Sequence, residues 1–183
     1  MNMNERTFEE MIGKALSMGA FRANIIGAEQ VVTDTAFREI CASNGCGIYG
    51  KCWMCPPDIG EIRELMATLR TYSHALVYQK VYPLEDSFDI EGMQRAKKDF
   101  TKLIQSVKKA YPDPSMLHLG VGGCGICETC SKRENKPCRF PNFAVPALEG
   151  YGVNVSKLAE AAGMKYINGQ NTVTYFGAVF FRA

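Results

Sequence analysis

Between Cys124 and Cys138 the chain places four cysteines within fifteen residues, Cys124, Cys127, Cys130 and Cys138, in the run GGCGICETCSKRENKPCRFP. Two successive two-residue gaps bring three sulfurs to the same side of one tight loop. Core packing makes no such demand, whereas multidentate thiolate binding does. Gly122, Gly123 and Gly125 suit a backbone that curls and turns its N–H groups toward the sulfurs.

A second group lies upstream, Cys41, Cys46, Cys52 and Cys55, in CASNGCGIYGKCWMCPPDIG, and the 68 residues between Cys55 and Cys124 hold no cysteine. The opening stretch, MNMNERTFEEM, is polar and lacks the apolar segment of a secretory signal, and no later run is long enough to span a bilayer. A cytoplasmic location is the expectation, and there thiols stay reduced. Eight cysteines in two sets of four then read as two four-cysteine metal sites rather than as disulfides. A net charge of +2 predicts neither nucleic-acid nor membrane binding.

Two metals compete for these sites. Three cysteines at two-residue gaps with a fourth near a proline, here Cys138 and Pro141, follow the bacterial ferredoxin spacing for a [4Fe–4S] cluster, although the last gap is seven residues rather than three. The four-residue and two-residue gaps of the first group also occur in plant-type ferredoxins, and in two-cluster proteins one cysteine crosses to the other cluster. Zinc prefers two separated hooks, which Cys52–Cys55 and Cys127–Cys130 would provide, but that choice leaves Cys41, Cys46, Cys124 and Cys138 without a role. The expectation is two iron–sulfur clusters, with zinc as the alternative.

Tyr49 and Trp53 stand where they could shield a cluster from water, or could be plain core. Lys51, Lys132, Arg133, Lys136 and Arg139 flank the cysteines. They could stabilise an anionic cluster, dock an acidic redox partner protein or form a solvated face. His74 and His118 lie in or beside expected strands and read as structural. No phosphate loop, dinucleotide fingerprint, nucleophile elbow or paired carboxylate appears.

Periodicity predicts an α/β chain forming one domain over 1–183, with cysteine loops at about 41–57 and 122–141. Thr7 and Glu10 suggest a capping box ahead of Phe8, Met11, Ile12 and Ala15, with Gly19 as the stop. FRANIIGAEQVV reads as one or two short strands, and residues 34–40 are ambiguous. Asp58 and Glu61 suggest a second capping box, for a helix to about Tyr72. HALVYQKVY is a strand, Asp86–Ala110 a helix, MLHLGV a strand, and Pro146–Glu149 a short helix. Asn154 caps a helix through Ala162, and TVTYFGAVFF is the last strand. Each cysteine loop feeds a helix and then a strand. This order predicts a mixed, partly parallel sheet with crossover helices.

The combination of Cys46, Tyr49-Gly50, Trp53 and Cys55-Pro56-Pro57 with CGICETC, Cys138-Arg139-Phe140-Pro141, Glu149 and GYGVNV resembles a cysteine-rich family of predicted metal-binding proteins. That family, of unknown function, is found in anaerobic bacteria and archaea. The resemblance spans roughly residues 20 to 183. It implies metal binding by the eight cysteines and supplies no reaction or substrate.

The expected function is one-electron transfer by two fully thiolate-ligated clusters, since such clusters have no open position for substrate. A zinc-stabilised binding module is one alternative. A redox enzyme with a further substrate or cofactor pocket is another, and it requires a sizeable cavity with convergent polar groups.

Overall fold

The structure, a computed structural model, describes residues 3–183. Helix α1 spans Met3–Ser17. Thr7 lies within it, so the expected Thr7–Glu10 capping box does not mark the helix start. Met11 and Ala15 point inward, and Gly19, at φ +104°, ends the turn that follows.

Strand β1 is Arg22–Gly27, followed by a 3-10 turn at Ala28–Gln30 rather than a second strand. The ambiguous stretch becomes helix α2, Ala36–Ala42, which has no buried residue and so shows no apolar stripe. Helix α3 is Ile62–Leu69. Its N-cap is Glu61, which makes no side-chain capping bond, and Asp58 pairs elsewhere; the second capping box is therefore also absent.

Strand β2 is His74–Pro83 and helix α4 is Ile90–Ala110. Helix α4 begins four residues later than the pattern suggested, because Asp89 is the cap: its Oδ1 accepts from the Gly92 N–H at 2.7 Å. Strand β3 is Leu117–Leu119. Helix α5 is Val155–Ala161, with Asn154 Oδ1 accepting from the Lys157 N–H at 3.1 Å, and Gly163 stops it at φ +67°. The expected helix at Pro146–Glu149 is instead a 3-10 turn at Glu149–Tyr151. Strand β4 is Thr172–Phe181.

The strands lie in the order β1-β2-β4-β3, and every pairing is antiparallel. The expectation of a partly parallel sheet is thus corrected. Strands β2 and β3 do run in the same direction, with α4 as the crossover between them, but β4 inserts between the two. Strand β1 likewise runs parallel in direction to β4 with β2 between. A crossover fixes the relative direction of two strands, not whether they become neighbours.

Both sheet faces are covered. Ala75, Leu76, Val77, Tyr78 and Gln79 are completely buried, so β2 is covered on both faces along this stretch. Leu76, Tyr78 and Val179 meet Met11 and Ala15 of α1 and Phe100, Leu103 and Val107 of α4. On the other face Val77, Ala178 and Phe180 meet Leu69, Val153, and Leu158 and Ala159 of α5. Gly177 pairs with Tyr78 across the ladder, and a Cβ there would stand 2.4 Å from the tyrosine ring.

The fold fastens both cysteine loops to one segment, 146–154. Gly120 N–H donates to Pro146 O at 2.8 Å and Leu148 N–H to Gly120 O at 2.9 Å, clamping the two ends of the second loop. Just before the first loop, Asp34 N–H donates to Gly152 O at 2.8 Å, and Asn154 N–H donates to Val32 O at 2.9 Å. Among the described residues no helix is long and apolar enough to cross a membrane.

Candidate metal centre

Cys41 occupies the last turn of α2, which rests against the 149–151 turn. Beyond it the chain reverses through Asn44 (φ +57°), whose Oδ1 accepts from the Tyr49 N–H at 3.1 Å. Gly50 N–H then donates to Pro56 O at 2.9 Å, which closes a small ring of backbone around Cys52 and Cys55. The Pro56–Pro57 peptide bond is cis. Cys52 and Cys55 are buried, Cys41 is half-buried and Cys46 is exposed.

The second loop is held from within. Arg139 Nη1 donates to Thr129 O at 2.8 Å, and the buried Ser131 hydroxyl donates to Pro137 O at 2.8 Å. A 3-10 turn at Ser131–Glu134 ends on Asn135 in the left-handed region. Gly122 and Gly125 adopt φ +57° and +69°, and Lys97 Nζ lies 2.7 Å from where a Gly122 Cβ would be. A side chain at either position would strain the loop and push on α4. Cys124, Cys127, Cys130 and Cys138 are all half-buried.

The two loops are stitched together. Trp53 Nε1–H donates to Lys136 O at 2.9 Å, and Lys132 Nζ lies 4.2 Å from the centre of the Trp53 ring system. Lys132 is also ion-paired with Asp58, and both side chains are largely buried. Trp53 and Lys132, weighed from sequence as shield and flanking charge, thus act as the seam between the loops.

This seam regroups the eight thiols. Cys41, Cys46 and Cys55 line one cavity of about 540 Å³, together with Ile48, Tyr49, Lys97 and Glu149. Cys52 lines a second, much smaller cavity of about 30 Å³ with Cys124, Cys127, Cys130 and Cys138. Cys52, a member of the first group in sequence, faces the second group in space. Its sulfur accepts from the Cys55 thiol, from the backbone N–H groups of Cys124 and Met54, and from Cys130.

Those donors, the Cys55 thiol foremost, hold the Cys52 thiol below the usual thiol range against its burial. Cys55, the proton donor of the pair, is pushed up by that bond and by burial. Burial also raises Cys41, with the neighbouring Cys46 adding to it, and raises Cys124. Glu149 is raised by burial as well, against a backbone hydrogen bond and the attraction of Lys97.

The donor set suits a thiolate-bound group. Among the described residues no three Cys, His, Asp or Glu side chains converge as they would on a single ion. Around tetrahedral zinc, sulfurs each ~2.3 Å from the metal stand only ~3.8 Å from one another. Around a polynuclear cluster each sulfur takes a separate outer corner, at a wider spacing. The N–H groups aimed at Cys52 are of the kind that tune a bound metal.

A third surface feature adjoins the second loop. A groove of about 920 Å³ runs along α4, lined by Lys97, Lys98, Lys102 and Lys109 with Thr101 and Gln105, and reaches Cys127 and Glu128. Among the described residues none of these four lysines makes an ion pair. The sequence reading names only the apolar face of α4. The spacing 97/98, 101/102, 105, 109 places these groups on one side of a helix and is the signal that could have found them.

The flanking cations largely have structural partners. Lys51 donates to Gly47 O at 3.1 Å, Lys136 pairs with Glu134 at 2.7 Å, and Arg139 approaches the same carboxylate at 4.0 Å. The histidines are structural too. His74 stacks on Phe181, and His118 Nε2–H donates to Tyr111 O at 3.0 Å. Burial lowers His118 to about 4.

No curated protein and no solved structure matches the chain. A family model covers residues 24–181, a span that contains both cysteine loops, the 146–154 segment and all of the sheet except Arg22 and Ala23 of β1. The chain belongs to the predicted metal-binding protein family DUF2284.

Proposed function

We propose that this metal-binding chain carries iron–sulfur clusters on its two cysteine loops and passes single electrons to a protein partner. The observation that carries the reading is the arrangement of the thiols. Eight cysteines line two adjoining cavities that share the Cys52–Cys55 contact, and they do not converge as single-ion ligands. Cys41, Cys46 and Cys55 would hold one group; Cys52, Cys124, Cys127, Cys130 and Cys138 supply the donors for the other. When bound, such groups supply one-electron couples.

The chain's own residues set the conditions. The Cys124 and Met54 N–H groups donate to the Cys52 sulfur and favour its thiolate. Trp53 and Phe140 wall the smaller cavity. The adjoining cavities, joined at neighbouring cysteines, give a short path between sites.

The partner would dock on the lysine groove of α4, beside Cys127. Four cations that form no close ion pair favour an acidic protein surface there, and such attraction accelerates encounter at low salt.

Preparation without oxygen, iron and acid-labile sulfide analysis, and EPR after reduction test the reading. Iron and sulfide in near-equal amounts with a reduced-state signal are expected; stoichiometric zinc with no sulfide would refute it. One observation favours zinc at the second loop: its cavity of about 30 Å³ has room for a single ion. In that case the second loop is a structural staple and only the first takes a redox group.

A further inference from the structure

The lysine groove and the first thiol cavity meet. Ile48 and Lys97 line both the 920 Å³ groove along α4 and the 540 Å³ cavity lined by Cys41, Cys46 and Cys55. The meeting point lies over the second loop. A Cβ at Gly122 would stand 2.7 Å from Lys97 Nζ, and one at Gly123 would stand 3.3 Å from Ile48. The two spaces differ in chemistry. The groove carries Lys97, Lys98, Lys102 and Lys109 against a single carboxylate, Glu128. The cavity is walled by Ile40, Ile48, Tyr49, Met54 and Val121, with Glu149 as its single carboxylate.

We propose that groove and cavity form one cleft for a small organic diphosphate that carries an apolar arm. The diphosphate lies on the α4 lysines, and the arm passes Ile48 into the cavity. An ammonium is a point charge suited to phosphate, whereas carboxylate recognition favours the planar fork of arginine. Among the described residues no arginine lines either space. Lys97, Lys98 and Lys102 lie within about 7 Å of helix axis, a span that flexible side chains and two linked phosphates can share. Either space alone is within the ~300–1,000 Å³ of small-molecule sites. An acidic protein surface would cover the groove but leave the apolar cavity unused. The proposal goes beyond electron relay, because the arm ends beside the first group of thiols, and it does not depend on which metal they bind.

Isothermal titration calorimetry on the full chain, prepared without oxygen, tests the cleft with three probes: geranyl diphosphate, inorganic pyrophosphate and geraniol. Geranyl diphosphate should bind at least about tenfold more tightly than either fragment, since burial of a few methylene groups suffices for that factor. Lys97→Gln should weaken binding of both phosphate compounds at least about threefold. Lys98→Gln with Lys102→Gln, at exposed positions where folding is not at stake, should do the same. Ile48→Asn should shrink the advantage of geranyl diphosphate over pyrophosphate. Lys157→Gln, which removes an equal charge from α5 outside both spaces, should leave binding unchanged.

Geranyl diphosphate that fails to bind, or binds no better than pyrophosphate, would overturn the proposal. So would a Lys98→Gln, Lys102→Gln loss no larger than that of Lys157→Gln. A polyglutamate peptide that binds while geranyl diphosphate does not would also overturn it, and would leave the docking reading in place. The expected diphosphate binding in a chain that contains no iron would uphold it while the cluster reading falls.

Discussion

Replacing Lys132 with methionine keeps the length and apolar stem of the side chain but removes its charge, and the cost can be worked from the seam between the loops. Lys132 and Asp58 retain only 19% and 17% side-chain exposure. Breaking a fully buried pair costs about 3–5 kcal/mol, because the remaining charge stays desolvated. Residual exposure reduces that to about 1.5–2.5 kcal/mol here. The cation over Trp53 adds about 0.5–1 kcal/mol. The sum, ~2–3.5 kcal/mol, corresponds to a melting-temperature decrease of about 4–14 °C in a chain of this length.

Thermal and urea unfolding by circular dichroism, on protein prepared without oxygen, measures the effect. Asp58→Asn in the same background should recover at least about 1 kcal/mol, since no unpaired carboxylate then remains. Lys136→Met, where the side chain is 69% exposed, should change stability by less than about 0.5 kcal/mol. A Lys132→Met variant as stable as the parent, or a double variant no better than the sum of the singles, would show that the loops are joined by something other than this pair.

Three further outcomes follow from the same geometry. Gly177→Ala should destabilise by about 1–3 kcal/mol, because the new methyl meets the Tyr78 ring between the two central strands, and chemical denaturation reads this directly. His118 is neutral when folded, with its pKa lowered from 6.5 to about 4, so its contribution is complete above pH 6.5 and is lost as pH falls toward 4; His118→Leu should flatten the stability profile in that window. Cys127→Ser should lower the metal bound at the second loop while the first site's signal survives, as metal analysis and absorption would show.

Helix α4, helix α5 with its Asn154 cap and the three later strands are legible in the sequence because their signals are local: periodicity, a capping side chain and a β-branched run. The antiparallel pairing is not, since the insertion of β4 between β2 and β3 joins residues far apart in the chain (Tyr78 with Gly177, for example) that carry no mark of each other. Helix α2 escapes because it buries nothing. At the site, the eight thiols and their loops can be read from spacing alone. Their division cannot, because Cys52 and Cys55 lie one turn apart and face opposite cavities. Asp58 misleads as a helix cap because its partner, Lys132, is 74 residues away.

The placement of β4 bears on how the molecule is made. It is last in chain order yet interior in the sheet, so until Thr172–Phe181 emerges, β2 presents a bare apolar edge and β3 pairs with nothing. Both thiol-bearing loops are synthesised before that closure. A growing chain thus presents all eight cysteines, and every residue that lines the two cavities, before the sheet that supports the loops is closed, so the thiols are most open to oxidation in that interval.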